Sequence, residues 1–338
     1  MRFADRLVAA WYAPRVTALP ALLAPLSWVF GAAAAARRGL YRAGVLAAVR
    51  LPVPVIVVGN ITAGGAGKTP LVLALVAALS ERGWRPGIVS RGYGGSNVLP
   101  RAVAPGDDSE VVGDEPLLLA ASGHPVWIGR RRADAAQALV AAHPECNVIV
   151  ADDGLQHYAL ARSVEIAVID AARGVGNGLL LPAGPLREPR ARLDTVDAIV
   201  RLVAWGAPLA AMAGRESAAT LEPLPWRNVA RPDAVADPAA WRAGEVHAIA
   251  GIGNPQRFFD LVRALGVAPV CHAFADHHRY TPADIAFPGA TAILMTEKDA
   301  VKCAGFADAR CWCLPVRARI DPLQVDLIED KLRGFQAA

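Results

Sequence analysis

Val55-Ile56-Val57-Val58-Gly59-Asn60-Ile61-Thr62-Ala63-Gly64-Gly65-Ala66-Gly67-Lys68-Thr69-Pro70 is the stretch whose reading decides the fold. A run of β-branched residues, the pattern of a strand buried on both faces, passes into a glycine-rich turn and then into the apolar helical segment Lys68 to Arg82. Glycines allow successive backbone N–H groups to turn toward one anion. A helix N-terminus adds positive potential, Lys68 can reach outer phosphates and Thr69 can ligate a metal ion. The stretch reads as a phosphate-binding loop over Thr62, Gly64, Gly65, Ala66, Gly67, Lys68 and Thr69. It departs from G-x4-G-K-[ST] only at its first position, which is Thr62.

Outward from the loop, apolar runs alternate with helical stretches. Strands are expected at Pro86 to Ser90, Val126 to Gly129, Asn147 to Ala151, Val164 to Asp170 and Ala198 to Leu202, with helices at Asp114 to Ala121 and Arg131 to Ala142. This alternation specifies an α/β, doubly wound, P-loop NTPase-type domain. Val148-Ile149-Val150-Ala151-Asp152-Asp153 adds a carboxylate pair at a strand end, where such a site organises a metal. Thr296-Glu297-Lys298-Asp299 sets its lysine one position late for the guanine-reading motif, so GTP is not indicated.

From Glu216 to Ala240 the period is lost and prolines accumulate, the mark of a linker. A second alternation follows, with strands at Val246 to Ala250, Pro269 to Phe274, Ala292 to Thr296 and Cys311 to Val316, a helix at Pro255 to Leu265, and a final helix capped by Asp321. The expected organisation is a membrane-associated segment (1–50), a phosphate-binding domain (51–220), a linker (221–240), and a smaller α/β domain ending in a helix (241–338).

The 338 residues carry a net charge of +4, yet residues 1 to 50 hold seven arginines against Asp5 alone. Those arginines flank the uncharged Val16 to Ala36, so anionic lipid is the expected partner and nucleic acid is not. As a helix this segment would run ~31 Å, close to a bilayer's hydrocarbon thickness. Pro20 and Pro25 and the alanine-rich second half stand against a clean crossing, which leaves spanning and interfacial placements both open. Five cysteines without a CxxC pair suit a reducing compartment, and Cys311 and Cys313 have no second ligand pair at zinc spacing.

Further blocks extend the pattern: Ser90-Arg91-Gly92-Tyr93-Gly94, Val112-Gly113-Asp114-Glu115-Pro116, Asp152-Asp153-Gly154-Leu155-Gln156-His157 and Leu181 to Glu188. Gly251 to Pro255, Phe274-Ala275-Asp276-His277-His278 and Thr296 to Lys302 complete it. With the loop, in which threonine at 62 is the family's form, they resemble the tetraacyldisaccharide 4'-kinases of lipid A biosynthesis. The resemblance covers 59 to 302.

It implies two α/β domains joined by a short β linker, with ATP and Mg²⁺ in the larger domain. The expected reaction is phosphorylation of the 4'-hydroxyl of tetraacyldisaccharide 1-phosphate to lipid IVA, at the cytoplasmic face of a bacterial inner membrane. The expected metal residues are Thr69 with Asp152, Asp153 or Glu188, the two aspartates being unranked. Arg91, Arg130, Arg131 and Arg187 are candidates for the substrate phosphate, because a guanidinium fork binds phosphate in a bidentate way. Tyr93 could pack on the sugar, and His157 could support the site.

Arg130 to Arg132 read equally as a solvated first helical turn. Asp114 and His277 are the expected base and its orienting partner, alongside Lys68. For Asp114 the bland alternative is a helix N-cap. A P-loop ATPase or metallochaperone that couples hydrolysis to partner binding is the competing class. It does not call for the second-domain blocks.

Overall fold

The computed structural model describes residues 3–65, 67–207, 214–241 and 244–335. Its centre is a nine-stranded sheet running, edge to edge, Val316–Arg319, Glu216–Pro223, Ala198–Val203, Val164–Asp170, Val55–Gly59, Val148–Asp152, Pro86–Ser90, Val126–Ile128 and Arg101–Ala102. The seven inner strands are parallel and the two edges antiparallel.

Val55–Gly59 lies in the middle. The chain first builds the side that starts with Val148–Asp152, then returns and builds the side that starts with Val164–Asp170. The crevice where this order reverses lies outside the carboxyl ends of the central strands, and the glycine-rich loop emerges there. Burial on both faces explains the apolar runs. Leu71, Val72, Leu75 and Leu79 of helix Lys68–Glu81 cover one face, and Leu139, Leu155 and Leu193 help to cover the other.

A smaller six-stranded sheet runs Val235–Ala236, Trp226–Asn228, Cys311–Leu314, Ala292–Thr296, Val246–Ala250 and Val270–Ala273. Its boundaries differ from those expected. The stretch Glu216 to Pro223 is an eight-residue strand of the large sheet, and Trp226–Asn228 already belongs to the small one. The chain leaves the small sheet at Leu314, because Val316–Arg319 pairs antiparallel with Glu216–Pro223. The final helix, Pro322–Arg333, then buries Ile328 and Leu332 in the core of the large domain. Two adjacent crossings, with Leu224 N–H donating to Pro315 O at 2.9 Å, therefore connect the units in place of a proline linker.

The N-terminal apolar segment is one continuous helix, Ala18–Arg42. Pro20 falls in its first turn, where a missing N–H costs nothing, and Pro25 is accommodated inside. The helix is tethered at its middle: Ser27 Oγ donates to Leu180 O (2.7 Å) and accepts from Ala183 N–H (2.9 Å). Leu22, Trp28 and Val29 remain exposed at 77%, 72% and 69%.

Candidate active site

The glycine loop is held from below. Asn60 donates to Thr62 Oγ1 (3.3 Å) and Gly64 O (3.4 Å), and Thr62 is bridged to Leu186. Arg187 N–H donates to Ile61 O (2.7 Å) and Ala63 N–H to Pro185 O (2.7 Å), so the 185–188 segment moves with the loop. Gly67 takes a φ of +73° at the helix start, a left-handed backbone that favours glycine, and a Cβ there would press on the Leu202 side chain at 2.7 Å. Ala66 lies outside the described residues.

Gly65, Gly67, Lys68 and Thr69 form one wall of a cavity of about 180 Å³, whose opposite wall is Ile252, Gly253, Asn254 and Arg257 of the small domain. The domains are sewn together there. Arg173 donates to Gly253 O (2.8 Å), Asn254 to Asp170 (3.3 Å), and Arg257 pairs with Asp170 (3.6 Å).

The strand-end carboxylates separate clearly. Asp153 adopts φ +47°, which turns its carboxylate toward Lys68 (3.4 Å) and Arg187 (3.1 Å). Burial raises its proton affinity, but Lys68, Arg187 and Arg132 outweigh burial and hold it far below the usual carboxylate range. Asp152, the last strand residue, is buried, and among the described residues neither of its carboxylate oxygens has a hydrogen-bond partner. Burial, then the charges of Glu115 and Asp153, push its proton affinity well up. Glu188 is buried and engaged by Gln156 (2.9 Å), Tyr158 and, at 3.8 Å, Arg192. It lines a different cavity from Thr69.

That second cavity, about 730 Å³, is walled by Phe30, Ala34 and Arg37 of the N-terminal helix on one side. Arg91, Tyr93, Arg130, Asp153, His157 and Arg187 lie on the other side. Arg131 is turned away: 78% exposed, it pairs with Asp134 at 3.5 Å, as the solvated-turn reading expects. Its neighbour Arg132 is the buried one, donating to Asp153 O (2.7 Å). His157 is pushed down to about 4 by burial and by the charges of Arg132, Arg162, Arg37 and Arg91, so it is neutral near pH 7. Glu115 lines both cavities and so marks where they meet.

Asp114 and His277, 163 residues apart, meet across the domain seam with His277 Nδ1 3.2 Å from Asp114 Oδ2. His277 holds φ +59°, a left-handed backbone rare outside glycine, and packs against Tyr93 with the rings tilted by 56° and centroids 4.7 Å apart. Asp114 heads helix Asp114–Ala120, and its Oδ1 accepts from Glu115 N–H (2.9 Å). Burial pushes the Asp114 carboxyl up, but His277, Lys298 and Lys302 more than offset this and hold it below its ordinary range.

A profile of "Tetraacyldisaccharide-1-P 4'-kinase" matches residues 19–333. The chain belongs to the tetraacyldisaccharide-1-phosphate 4'-kinase family. It is 53% identical to the tetraacyldisaccharide 4'-kinase of Azoarcus sp. (strain BH72), over 92% of each chain. It is also 53% identical to that of Dechloromonas aromatica (strain RCB), over 94% of each. It resembles the crystal structure of LpxK from Aquifex aeolicus in complex with ATP, with a TM-score of 0.75 and 27% identity, covering 93% of this chain and 99% of that one. Membership decides for an alcohol phosphotransferase over the ATPase and metallochaperone readings. Among the described residues no group of three His, Cys, Asp or Glu side chains could hold a metal ion.

Four side chains of this kinase went unassigned in the sequence: Glu115, Arg132, Tyr158 and Lys298. Glu115 and Lys298 sat inside recognised blocks but carried no signal of their own. Arg132 is separated from Arg131 only by the phase of its helix.

Proposed function

We propose that the two cavities divide the reaction. ATP occupies the inter-domain cavity with its phosphates on the glycine loop, and the disaccharide head group occupies the larger one, below the N-terminal helix. The enzyme phosphorylates the 4'-hydroxyl of tetraacyldisaccharide 1-phosphate and produces lipid IVA. The observation that carries this reading is the Asp114–His277 pair at 3.2 Å, contributed by both domains; it lines a third cavity of about 310 Å³ and is joined in sequence, through Asp114, to Glu115, the residue the other two cavities share.

In this reading the loop is of the P-loop type, and Lys68 clamps the phosphates while Arg91, Arg130 and Arg187 receive the anionic head group. Thr69 and Asp152 would hold Mg²⁺, which when bound offsets charge on the phosphates. The two Asp152 oxygens, buried and without a partner among the described residues, fit that demand. Mg²⁺ needs only one or two protein ligands beside phosphate and water, so a three-residue cluster is unnecessary. Asp153, already paired with Lys68 and Arg187, positions those cations. Glu188 and His157 brace the acceptor wall.

Asp114 is ionised at neutral pH, and each of its oxygens keeps a lone pair beyond the bond shown. It is the group able to take the sugar hydroxyl's proton, with His277 fixing its direction. The helix Ala18–Arg42 rests on the cytoplasmic face of the inner membrane. Its middle is bonded to Leu180 and Ala183, so a crossing would drag those polar loop groups into hydrocarbon.

Purified full-length protein with labelled ATP, Mg²⁺ and the disaccharide 1-phosphate in detergent tests the assignment. Asp114→Ala and His277→Ala should each lower kcat by ~10²–10⁴-fold with little change in KM for ATP. The double variant should be no slower than the poorer single one. Losses that multiply, or a fast Asp114→Ala enzyme, would sink the dyad.

A further inference from the structure

His277 stands between two carboxylates. Asp114 lies at Nδ1, and Asp276 Oδ1 is 3.7 Å from Nε2. Left to these two acids, the ring has no reason to prefer either proton position.

The side chain that breaks this symmetry is Lys298, from helix Glu297–Cys303. Its Nζ is 3.4 Å from His277 Nε2, 3.4 Å from Asp276, 3.1 Å from Glu115 and 3.9 Å from Asp114. An ammonium has only donors, so the ring nitrogen facing it must offer a lone pair. The single ring proton is then on Nδ1, aimed at Asp114. The other charged groups packed on the pair complete the balance. Lys302 is 3.9 Å from Asp114, and its own partner Asp299 is 3.0 Å away. Asp299 is fully buried, accepts from Gly251 N–H and the Thr296 hydroxyl, and lies closer to Lys302 than Asp114 does. Lys298 is thus the cation shared by the acids of both domains around the ring.

We infer that Lys298 is a positioning residue for phosphoryl transfer: it selects the Nδ1–H tautomer of His277, so that the imidazole donates to the Asp114 carboxylate and orients it. This rests on Asp114 being the base. An Asp114→Ala enzyme of normal speed would remove that premise. An intact dyad with a pH profile indifferent to Lys298 would remove this inference alone.

The test has two arms, both on the full-length chain in detergent. Long-range ¹⁵N–¹H correlation of the histidine rings, with His277→Gln used to assign the signals, should show His277 protonated at Nδ1 and bare at Nε2 at pH 7. An Nε2–H tautomer there would overturn the inference whether or not any variant folds. In the second arm, Lys298→Met should move the acidic limb of the kcat profile upward by roughly one pH unit and lower kcat at pH 7 by about tenfold. Lys298→Arg, also a pure donor, should restore most of both. A Lys298→Met enzyme whose KM for ATP rises while the acidic limb stays in place would make Lys298 only a wall of the nucleotide cavity and refute the positioning role.

Discussion

Replacing Gly253 by alanine probes the seam between the domains with a single methyl group. The Gly253 backbone lies outside the left-handed region, so alanine is conformationally permitted and any effect is steric. A Cβ at 253 would lie 2.2 Å from Gly65 N and 3.0 Å from its Cα. Both are backbone atoms, so no rotamer change relieves the overlap, and the small domain must withdraw by about 1 Å to restore contact distance. His277 moves with it, because His277 N–H donates to Gly251 O at 3.2 Å in the same loop cluster.

An Asp114–His277 separation of 3.2 Å cannot absorb such a step and remain a hydrogen bond. A misplacement of that size costs on the order of 10²-fold in rate. Steady-state kinetics should therefore show kcat/KM down about 10²-fold with thermal stability nearly unchanged, since the contact lies outside both cores. Gly305→Ala, whose Cβ would meet nothing within 4 Å, is the control and should stay within about twofold. A Gly253→Ala enzyme with wild-type kinetics would show that the working enzyme does not bring the loop and the small domain this close.

Lys68→Ala should lower transfer by ~10²–10³-fold or more, because it removes a charge that acts as negative charge shifts in the transition state. Asp153 keeps Arg187 at 3.1 Å, so circular dichroism and the unfolding midpoint should hold; near-normal turnover at saturating ATP would reject the loop assignment. Serine at Leu22, Trp28 and Val29 together, leaving the Ser27 tether in place, should cut partition onto anionic vesicles at least ~10-fold. Unchanged sedimentation with vesicles would place the membrane contact elsewhere.

His157 binds its proton less readily folded, at about 4, than unfolded, at its ordinary 6.5. The unfolded chain therefore takes up the extra proton, and the stabilisation present above pH 6.5 is lost as pH falls toward 4. Denaturation midpoints for His157→Gln should fall less steeply across that window than wild type, and parallel curves would contradict the burial argument.

The sequence alone was enough for the α/β class, the glycine loop and the apolar N-terminal helix, because each is a local property: a periodicity, a run of small residues, an uncharged stretch. The family blocks also named Asp114 and His277. What the sequence left open were outcomes of three-dimensional pairing. Val316–Arg319 returns to the large sheet because its partner Glu216–Pro223, nearly a hundred positions earlier, offers an open edge. No local pattern announces such a return, and the prolines there read as a linker. Asp152 and Asp153 acquire different surroundings only because the backbone at 153 turns left-handed and sends that carboxylate to Lys68 and Arg187. Arg132, and not Arg131, faces the site through a helix phase that a run of three arginines cannot show. Lys298 lies 183 residues from Glu115 and acquires its place only when two separately folded sheets close on one seam. The potential at that seam is a sum over charges from both domains, a quantity that exists only after the chain has folded.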